Sequence, residues 1–198
     1  YVTVAVDMTD LLAFRNELKA AGKNYTVTAF ILEAVALALK EMPAFNSVTD
    51  GRTSQWRGRI HLGMAVSLEQ GLVVPVLRDA DRLTLAELSE AIQTLVGKAR
   101  QGKLTPDEMT GSTFTVSNMG MLNVDHFTAI INPGETAILA VASTRPTPVV
   151  RERKIAIRDM MNITLSSDHR MVDGAQAAAF VNNIKSKLED VTLWKSLT

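Results

Sequence analysis

Residues 29 to 42, AFILEAVALALKEM, are apolar on almost every side of a helix, and Pro43 follows them. Proline ends a helix because it has no N–H to donate and because its ring clashes with the preceding turn. A helix that is apolar nearly all round has to be buried on several sides. The sequence therefore predicts a layered domain with this helix inside its core.

Length and charge limit the class of protein. The 198 residues suit one domain, and a hydrophobic content of 46% is ample for a single core. Lys and Arg together number 21, as do Asp and Glu, so no excess of positive charge indicates a nucleic acid or an anionic membrane as partner. No apolar run approaches the roughly 18 to 20 residues of a membrane span. Because no leader is visible at Tyr1, we expect a soluble domain cut from a longer chain.

The chain contains no cysteine. This excludes disulfide bonds and thiolate metal sites. It also means that any thiol in a reaction has to arrive with a substrate.

Apolar periodicity predicts a mixture of strands and helices. The predicted strands cover about 1–6, 60–68, 72–77, 112–118, 136–144 and 155–167, and the predicted helices about 10–21, 29–42, 84–102 and 175–189. Asp10 is expected to cap the first helix, and Thr84 and Thr105 each begin a capping box. Asp50-Gly51 predicts a hairpin, and Pro75 an edge or a bulge. The order indicates an α/β or α+β domain with a mixed sheet.

The two tryptophans have different settings. Trp56 is near the predicted hairpin and is expected to cover core. Trp194 is close to the end of the chain, where segments usually fray. Its apolar surroundings, LWKSLT, leave two alternatives open: docking, within the subunit or onto a neighbour, or disorder.

His169 lies where a predicted strand ends and a helix is about to begin, within LSSDHRMVDGA. Such junctions place side chains at an exposed sheet edge or crevice, and histidine can take a proton from a thiol or hydroxyl near neutral pH. Asp168, Arg170 and Asp173 add ionisable groups to the segment. The pattern fits a catalytic base, and it fits equally a polar residue that caps or lines a turn.

A metal site is the competing interpretation, since histidine and carboxylate side chains can share an ion. His61 and His126 are isolated in the sequence, however, and no two-histidine ligand motif is present. We therefore expect no metal.

Ser117 ends the β-rich run TFTVS, and small and polar residues follow it. Loops held by rigid strands often carry sites, so this hydroxyl could point at a developing oxyanion. The alternative is a strand-end serine that bonds to nearby backbone. No nucleophile elbow, P-loop or dinucleotide fingerprint is present, so we do not expect a covalent serine nucleophile.

Taken together, DHRMVDG, TFTVSNMG and GLVVPVLRDAD, with KAR and GKL downstream, closely resemble the catalytic domain of the dihydrolipoamide acyltransferases, the core enzymes of 2-oxoacid dehydrogenase complexes. The resemblance covers essentially all 198 residues. DHRMVDG is a form of the H-x-x-x-D-G motif shared with chloramphenicol acetyltransferase. That motif is short, but several motifs in the right order are a strong signal.

The resemblance implies a chloramphenicol-acetyltransferase-like two-layer sandwich with a large mixed sheet and flanking helices. It implies trimers whose active sites lie between neighbouring subunits, with dihydrolipoamide and coenzyme A entering a channel from opposite ends. His169 would be the general base that deprotonates the thiol, and Ser117 would donate a hydrogen bond to the oxyanion. Asp173 would support the architecture of the site. No residue is assigned to the binding of coenzyme A.

The loop SNMGMLNVDHFTAIINP resembles acetyl-transferring members more than succinyl or branched-chain ones, so we expect acetyl transfer in a pyruvate-type complex. Asn123 is a departure, because acetyl-type sequences often have glycine there. Three alternatives stay open. They are a branched-chain acyl specificity, a stand-alone O-acetyltransferase of the chloramphenicol type, and a scaffold with an inactive site.

The resemblance also implies partners. Trimers would join into a cubic or icosahedral core that holds the decarboxylase and dihydrolipoamide dehydrogenase subunits. The lipoyl group would arrive on a separate lipoyl domain. We expect that domain, the peripheral-subunit-binding domain and the first helix of the family fold to be absent from residues 1–198. The expected location is the cytoplasm, or the mitochondrial matrix in a eukaryote.

Overall fold

A computed structural model describes residues 1–68 and 71–198. The strands are β1 (Val2–Asp7), β2 (Ser47–Thr49), β3 (Ser54–Trp56), β4 (Leu62–Leu68), β5 (Gly71–Val73), β6 (Val76–Leu77), β7 (Phe114–Asn118), β8 (Ala137–Arg151) and β9 (Lys154–Ser167). The helices are α1 (Thr9–Ala20), α2 (Val27–Glu41), α3 (Leu85–Arg100), α4 (Gly174–Glu189) and α5 (Val191–Leu197). In these ranges, no helix combines the length and the apolar composition needed to cross a bilayer.

Seven strands form one mixed sheet. Its order is β1-β9-β8-β7-β4-β5, and β6 pairs with β4 beside β5. The pairs β4–β7 and β7–β8 are parallel, and the other pairs are antiparallel. The helices pack on one face of this sheet, which confirms the predicted fold class of a large mixed sheet with flanking helices.

Helix α2 is the centre of the core, as its composition predicts. Nine of its apolar residues are buried, because α3 and α4 pack on it from different sides. The helix starts earlier than predicted: the Thr26 hydroxyl accepts from the Ala29 N–H and caps it, so Thr28 lies in the first turn. Trp194 is fully buried in α5, and its ring packs edge-on against Phe30 at 5.1 Å between centroids. The end of the chain is therefore docked within the subunit.

Two local predictions about side chains are wrong. Asp10 does not cap α1; it lies in the first turn and binds Arg158 on β9, which leaves Met8 at the cap position without a side-chain bond. Trp56 does not cover core. It is 67% exposed, because β2 and β3 form a separate two-stranded sheet in which all three residues of β3 are exposed.

The strands differ from prediction where the chain turns. The predicted strand 72–77 is divided into β5 and β6, with Pro75 between them, and both pair with β4 at the edge of the sheet, which is one of the two positions that Pro75 predicted. Strands β8 and β9 are longer than predicted and form one hairpin, whose turn places Glu152 and Arg153 at positive φ. Neither residue is a glycine or an asparagine, so composition did not indicate this turn.

The two faces of the sheet are covered by different structures. On the helix side, β1, β9, β8, β7 and β4 contribute one continuous row of mainly apolar residues: Val2, Leu165, Leu139, Val116 and Met64. The row beside it on the other face is small and polar: Thr3, Thr164, Ala140, Ser117 and Ala65. The irregular segment 119–136, here called the serine loop, runs across this second face.

Candidate active site

His169 lies in a tight turn between β9 and α4, residues 168–173, here called the histidine turn. The backbone of Asp168 holds this turn: its N–H donates to the Thr136 carbonyl, and its carbonyl accepts from Met171 and Val172. The His169 side chain is exposed, and in the described part of the chain its ring has no hydrogen-bond partner. The imidazole is therefore available to an incoming group.

The charged residues around His169 are bound to one another or to backbone, and not to the imidazole. The guanidinium of Arg170 makes a bidentate pair with the Asp168 carboxylate, with Nη2–Oδ2 at 2.6 Å and Nε–Oδ1 at 3.0 Å. This pair holds the pKa of Asp168 below its usual range. The crowding of ionisable groups seen in the sequence thus stabilises the turn.

Asp173 is the N-cap of α4. Its Oδ1 accepts from the Gln176 N–H at 2.8 Å, and the Gln176 side chain accepts from the Asp173 N–H at 2.9 Å. This is a reciprocal capping box. The carboxylate thereby fixes the direction in which the helix leaves the histidine turn, which agrees with a supporting role.

Ser117 is on β7, in the middle of the sheet. Its neighbours Val116 and Asn118 face the helices, so Ser117 faces the serine loop. The side chain is half-buried, and among residues 1–68 and 71–198 its hydroxyl has no partner. A rigid strand with parallel neighbours on both sides therefore presents an unused hydroxyl.

The serine loop is anchored soon after Ser117. The Asn118 carboxamide accepts from the Gly120 N–H at 2.8 Å, and a Cβ at Gly120 would lie 2.9 Å from that oxygen. Further along, Asn123 has φ +57° and accepts from Arg145 through both its carbonyl and its side chain. Asparagine tolerates the left-handed conformation better than most residues other than glycine. Asn123 is therefore compatible with the backbone that this position requires.

His169 and Ser117 do not meet within one chain. Ser117 is in register with Ala140, and Ala140 with Thr164 on β9. Strand β9 continues to Ser167 before the histidine turn begins, which is about 10 Å further along the sheet and about 10 Å across it. One subunit thus carries two separated candidate half-sites, and a single site that used both residues would require a second copy of the chain.

A cavity of about 440 Å³ lies on the helix side of β4 and β7. Leu32, Ile92 and Val96 line it from α2 and α3, and Asn118 forms part of its polar rim. Ser117 does not line it. The cavity therefore belongs to the opposite face of the sheet from the serine hydroxyl.

The other histidines lie outside both half-sites. His61 Nδ1 accepts from the Asp79 N–H, and burial lowers the pKa of His61. His126 is exposed on the serine loop beside Asp125. Within the described ranges, no three His, Cys, Asp or Glu side chains are arranged to hold a metal ion.

Sequence reasoning missed Glu135, a buried carboxyl on the Ser117 side of the sheet. Its Oε1 accepts from the hydroxyls of Ser112 and Thr115. The signal in the sequence was weak. A single acidic residue before the apolar run TAILAVA looks the same whether it is buried or lies exposed at the start of a strand.

Comparison with known families identifies the family of this chain. The family model of the 2-oxoacid dehydrogenases acyltransferase catalytic domain matches residues 1–195. The chain belongs to this family. The predicted resemblance is thereby confirmed over nearly the whole chain.

Relatives with different acyl groups are similarly close. The acetyltransferase component of the acetoin cleaving system of Bacillus subtilis is 40% identical over 194 residues, which cover 96% of this chain and 49% of the relative. The succinyltransferase component of the 2-oxoglutarate dehydrogenase complex of Rickettsia typhi is 40% identical over 190 residues, covering 93% and 48%. The chain thus spans about half the length of the curated relatives it matches.

Solved structures share the fold. Dihydrolipoamide acetyltransferase of Azotobacter vinelandii, studied for the role of a serine, a histidine and an asparagine in its mechanism, has a TM-score of 0.92 at 36% identity, covering 96% of this chain and 81% of that one. The cubic core of the pyruvate dehydrogenase multienzyme complex has a TM-score of 0.92 at 37% identity, with the same coverage. Chloramphenicol acetyltransferase, at 17% identity, has a TM-score of 0.62 over 94% of this chain and 86% of its own, a likeness of fold.

Proposed function

We propose that this chain transfers an acyl group between dihydrolipoamide and coenzyme A, with His169 as general base and Ser117 as oxyanion donor. One observation carries the proposal. The serine and histidine named for the Azotobacter enzyme are 52 positions apart, as Ser117 and His169 are here, and its asparagine follows the histidine by four positions, as Asp173 does. A family domain with these side chains at this spacing, in which His169 and Ser117 have no side-chain hydrogen bond within the described residues, is suited to acyl transfer.

The chemistry needs a base and a hydrogen-bond donor. A free thiol with a pKa of about 8.5 is only a few per cent thiolate at neutral pH, so a nearby imidazole that takes its proton is useful. The thiolate then attacks the thioester carbonyl of the other substrate. When the tetrahedral intermediate collapses, the departing thiolate takes the proton back from the imidazolium of His169. Because both thiols belong to substrates, the absence of cysteine from the chain is no obstacle.

Ser117 would act on the intermediate and form no bond to carbon. A hydroxyl fixed on a central strand can donate to the oxygen on which negative charge develops. One such donor typically contributes about 3 kcal/mol when water is excluded. Asp173 would contribute by capping α4, because its carboxylate bonds to Gln176 and not to the imidazole.

The separation of the two half-sites supports a site between copies. A cyclic trimer has head-to-tail interfaces, in which one face of each subunit meets a different face of the next. Such an interface can bring the histidine turn of one copy to the serine face of its neighbour. We propose that the trimers join into a larger cubic or icosahedral core with the decarboxylase and dihydrolipoamide dehydrogenase subunits of a pyruvate-type complex.

The test is a transfer assay with a panel of acyl donors. Acetyl-, succinyl- and isobutyryl-coenzyme A are offered with free dihydrolipoamide as acceptor, and acetyl-coenzyme A is also offered with a hydroxyl acceptor. We expect acetyl transfer to the thiol to be fastest. Preferential transfer to the hydroxyl would favour an O-acetyltransferase, and faster isobutyryl transfer would favour a branched-chain enzyme. An assembled particle that transfers no acyl group would favour a scaffold.

A further inference from the structure

A buried polar network lies on the same face of the sheet as Ser117. At its centre Glu135 is only 7% exposed. Its Oε1 accepts from Ser112 Oγ at 2.6 Å and from Thr115 Oγ1 at 2.8 Å, and Asn132 Nδ2 donates to Thr115 Oγ1 at 2.9 Å. The other oxygen of Glu135 is buried and has no partner within the described residues. Such groups are rare in folded proteins and call for an explanation.

The neighbouring strand is shaped around this network. Gly63 on β4 pairs with Thr115, and a Cβ there would lie 2.5 Å from the Thr115 hydroxyl and 3.2 Å from the Ser112 side chain. Any larger residue at position 63 would displace the Thr115 hydroxyl, which donates to Glu135, and would also clash with Val74. The glycine therefore provides the space that the network occupies.

The network joins the strand of the proposed oxyanion donor to the far end of the serine loop. Thr115 and Ser117 are two residues apart on β7 and share one face, at roughly 7 Å. Asn132 belongs to the serine loop, whose first residues follow directly after Ser117 and Asn118. Glu135 thus anchors the end of the same loop that begins beside the serine.

We propose that Glu135 is a positioning residue for acyl transfer, which, through Thr115 and Asn132, fixes the serine loop over Ser117. The inference rests on the proposed function for its catalytic consequence, but the anchoring of the loop can be tested without it. Glu135 touches neither Ser117 nor a reacting atom, so its effect is transmitted by the loop and strand.

The charge state of Glu135 decides how well the network holds. Burial raises the pKa of Glu135, while the hydrogen bonds from Ser112 and Thr115 oppose this. Ionisation would leave a buried charge with one unpaired oxygen, which is costly. We therefore expect the anchor to weaken as the pH rises and the neutral form is lost.

The charged groups on the adjoining segments are engaged elsewhere. Arg78, which lies against Gly111 just before β7, donates to the carbonyls of Asp107 and Thr110. The imidazole of His61, at the start of β4, accepts from the Asp79 backbone. At the end of β9, Asp168 is paired with Arg170. The local pH response is thus assigned to Glu135.

The test compares Glu135→Gln, Glu135→Ala and a matched control, Glu33→Gln. Glu33 is also 7% exposed, also has an oxygen without a partner in the described chain, and burial raises its pKa to about 7. It lies on α2, however, on the helix side of the sheet. The intact assembly is assayed with acetyl-coenzyme A and free dihydrolipoamide between about pH 6 and about pH 9.

We expect Glu135→Ala to lower kcat about tenfold with little change in KM, because a loosened loop misplaces the oxyanion donor and not the substrate. Glu135→Gln, which still accepts both hydroxyl bonds, should restore kcat, and its pH profile should lack any decline that ionisation of Glu135 causes in the wild type. Glu33→Gln should leave the profile unchanged. A kcat for Glu135→Ala within about twofold of wild type, with an unaltered profile, would overturn the positioning role.

Hydrogen exchange separates this inference from the proposed function. Amides of residues 119–132 should exchange faster in Glu135→Ala than in wild type or Glu33→Gln. In wild type, their exchange rates should increase with pH by more than the intrinsic chemical exchange rate does. Unchanged protection of these amides would contradict the anchor whatever the activity. Increased exchange in an assembly that transfers no acyl group would support the anchor and refute the acyl transfer.

Discussion

The histidine turn and the serine strand are held by different kinds of interaction. The turn is a short exposed segment, fixed by its own backbone bonds, one ion pair and one helix cap. Ser117 lies on a strand with parallel partners on both sides and is covered by a long anchored loop. On the proposed function, each copy would supply its imidazole to one neighbour and its hydroxyl to another.

Removing the imidazole should have the largest effect. His169→Ala deletes the proposed base, and such a base is typically worth about a hundredfold to ten-thousandfold in rate. Because the ring has no partner within the described chain, the fold should be unaffected. Steady-state acyl transfer, together with the mass of the assembly, checks this. Near-normal turnover in an intact particle would refute the assignment.

Removing the hydroxyl should have the next largest effect. Ser117→Ala is expected to lower kcat by about a hundredfold to a thousandfold, the usual loss for one oxyanion donor. KM should change much less, because the bond is made to the intermediate and not to the ground state. An effect confined to KM would instead show that Ser117 contacts bound substrate. It would contradict the assignment of Ser117 to the intermediate.

Loosening the histidine turn should have a smaller effect, which is confined to the half-site that contains His169. Asp168→Asn removes the charge that binds Arg170, and we expect roughly a tenfold loss of kcat as the imidazole loses its orientation. The folded pKa of Asp168 is lowered, so the stabilisation is present above about pH 4 and is lost as the pH falls below it. Denaturant unfolding at several pH values should show the variant approaching wild-type stability in acid.

The smallest effect concerns the helix cap. Asp173→Ala removes the bond to the Gln176 N–H and should cost about 1 kcal/mol of unfolding free energy. Asp173→Asn should cost only a few tenths of a kcal/mol, since asparagine caps nearly as well. If the asparagine variant were as inactive as His169→Ala while remaining equally stable, Asp173 would have a direct chemical role.

Local patterns predicted much of this molecule, because α2 and the capping box at Thr84 depend on neighbouring residues alone. Apolar periodicity placed His169 at a strand-to-helix junction, as the structure has it. Predictions that required tertiary partners were less successful. Asp10 binds a distant arginine and does not cap its helix, and Trp56 lies on a projecting hairpin. Glu135 escaped notice because only the folded sheet brings it to Thr115.

The same limit applies to the site. Residue types and spacing nominated His169, Ser117 and Asp173, but no periodicity indicates that the first two lie on different parts of the sheet. That separation follows from the register of β7, β8 and β9. The resemblance already implied active sites between neighbouring subunits, but only the topology shows how far apart the two residues lie within one chain.

We propose that one active site takes its histidine and its serine from different copies. Two inactive variants, His169→Ala and Ser117→Ala, can be co-expressed with different tags, and particles that contain both can be isolated. We predict that mixed particles recover about a quarter of wild-type turnover, the share of head-to-tail interfaces at which an intact histidine meets an intact serine. Mixed, fully assembled particles no more active than either variant alone would contradict the account.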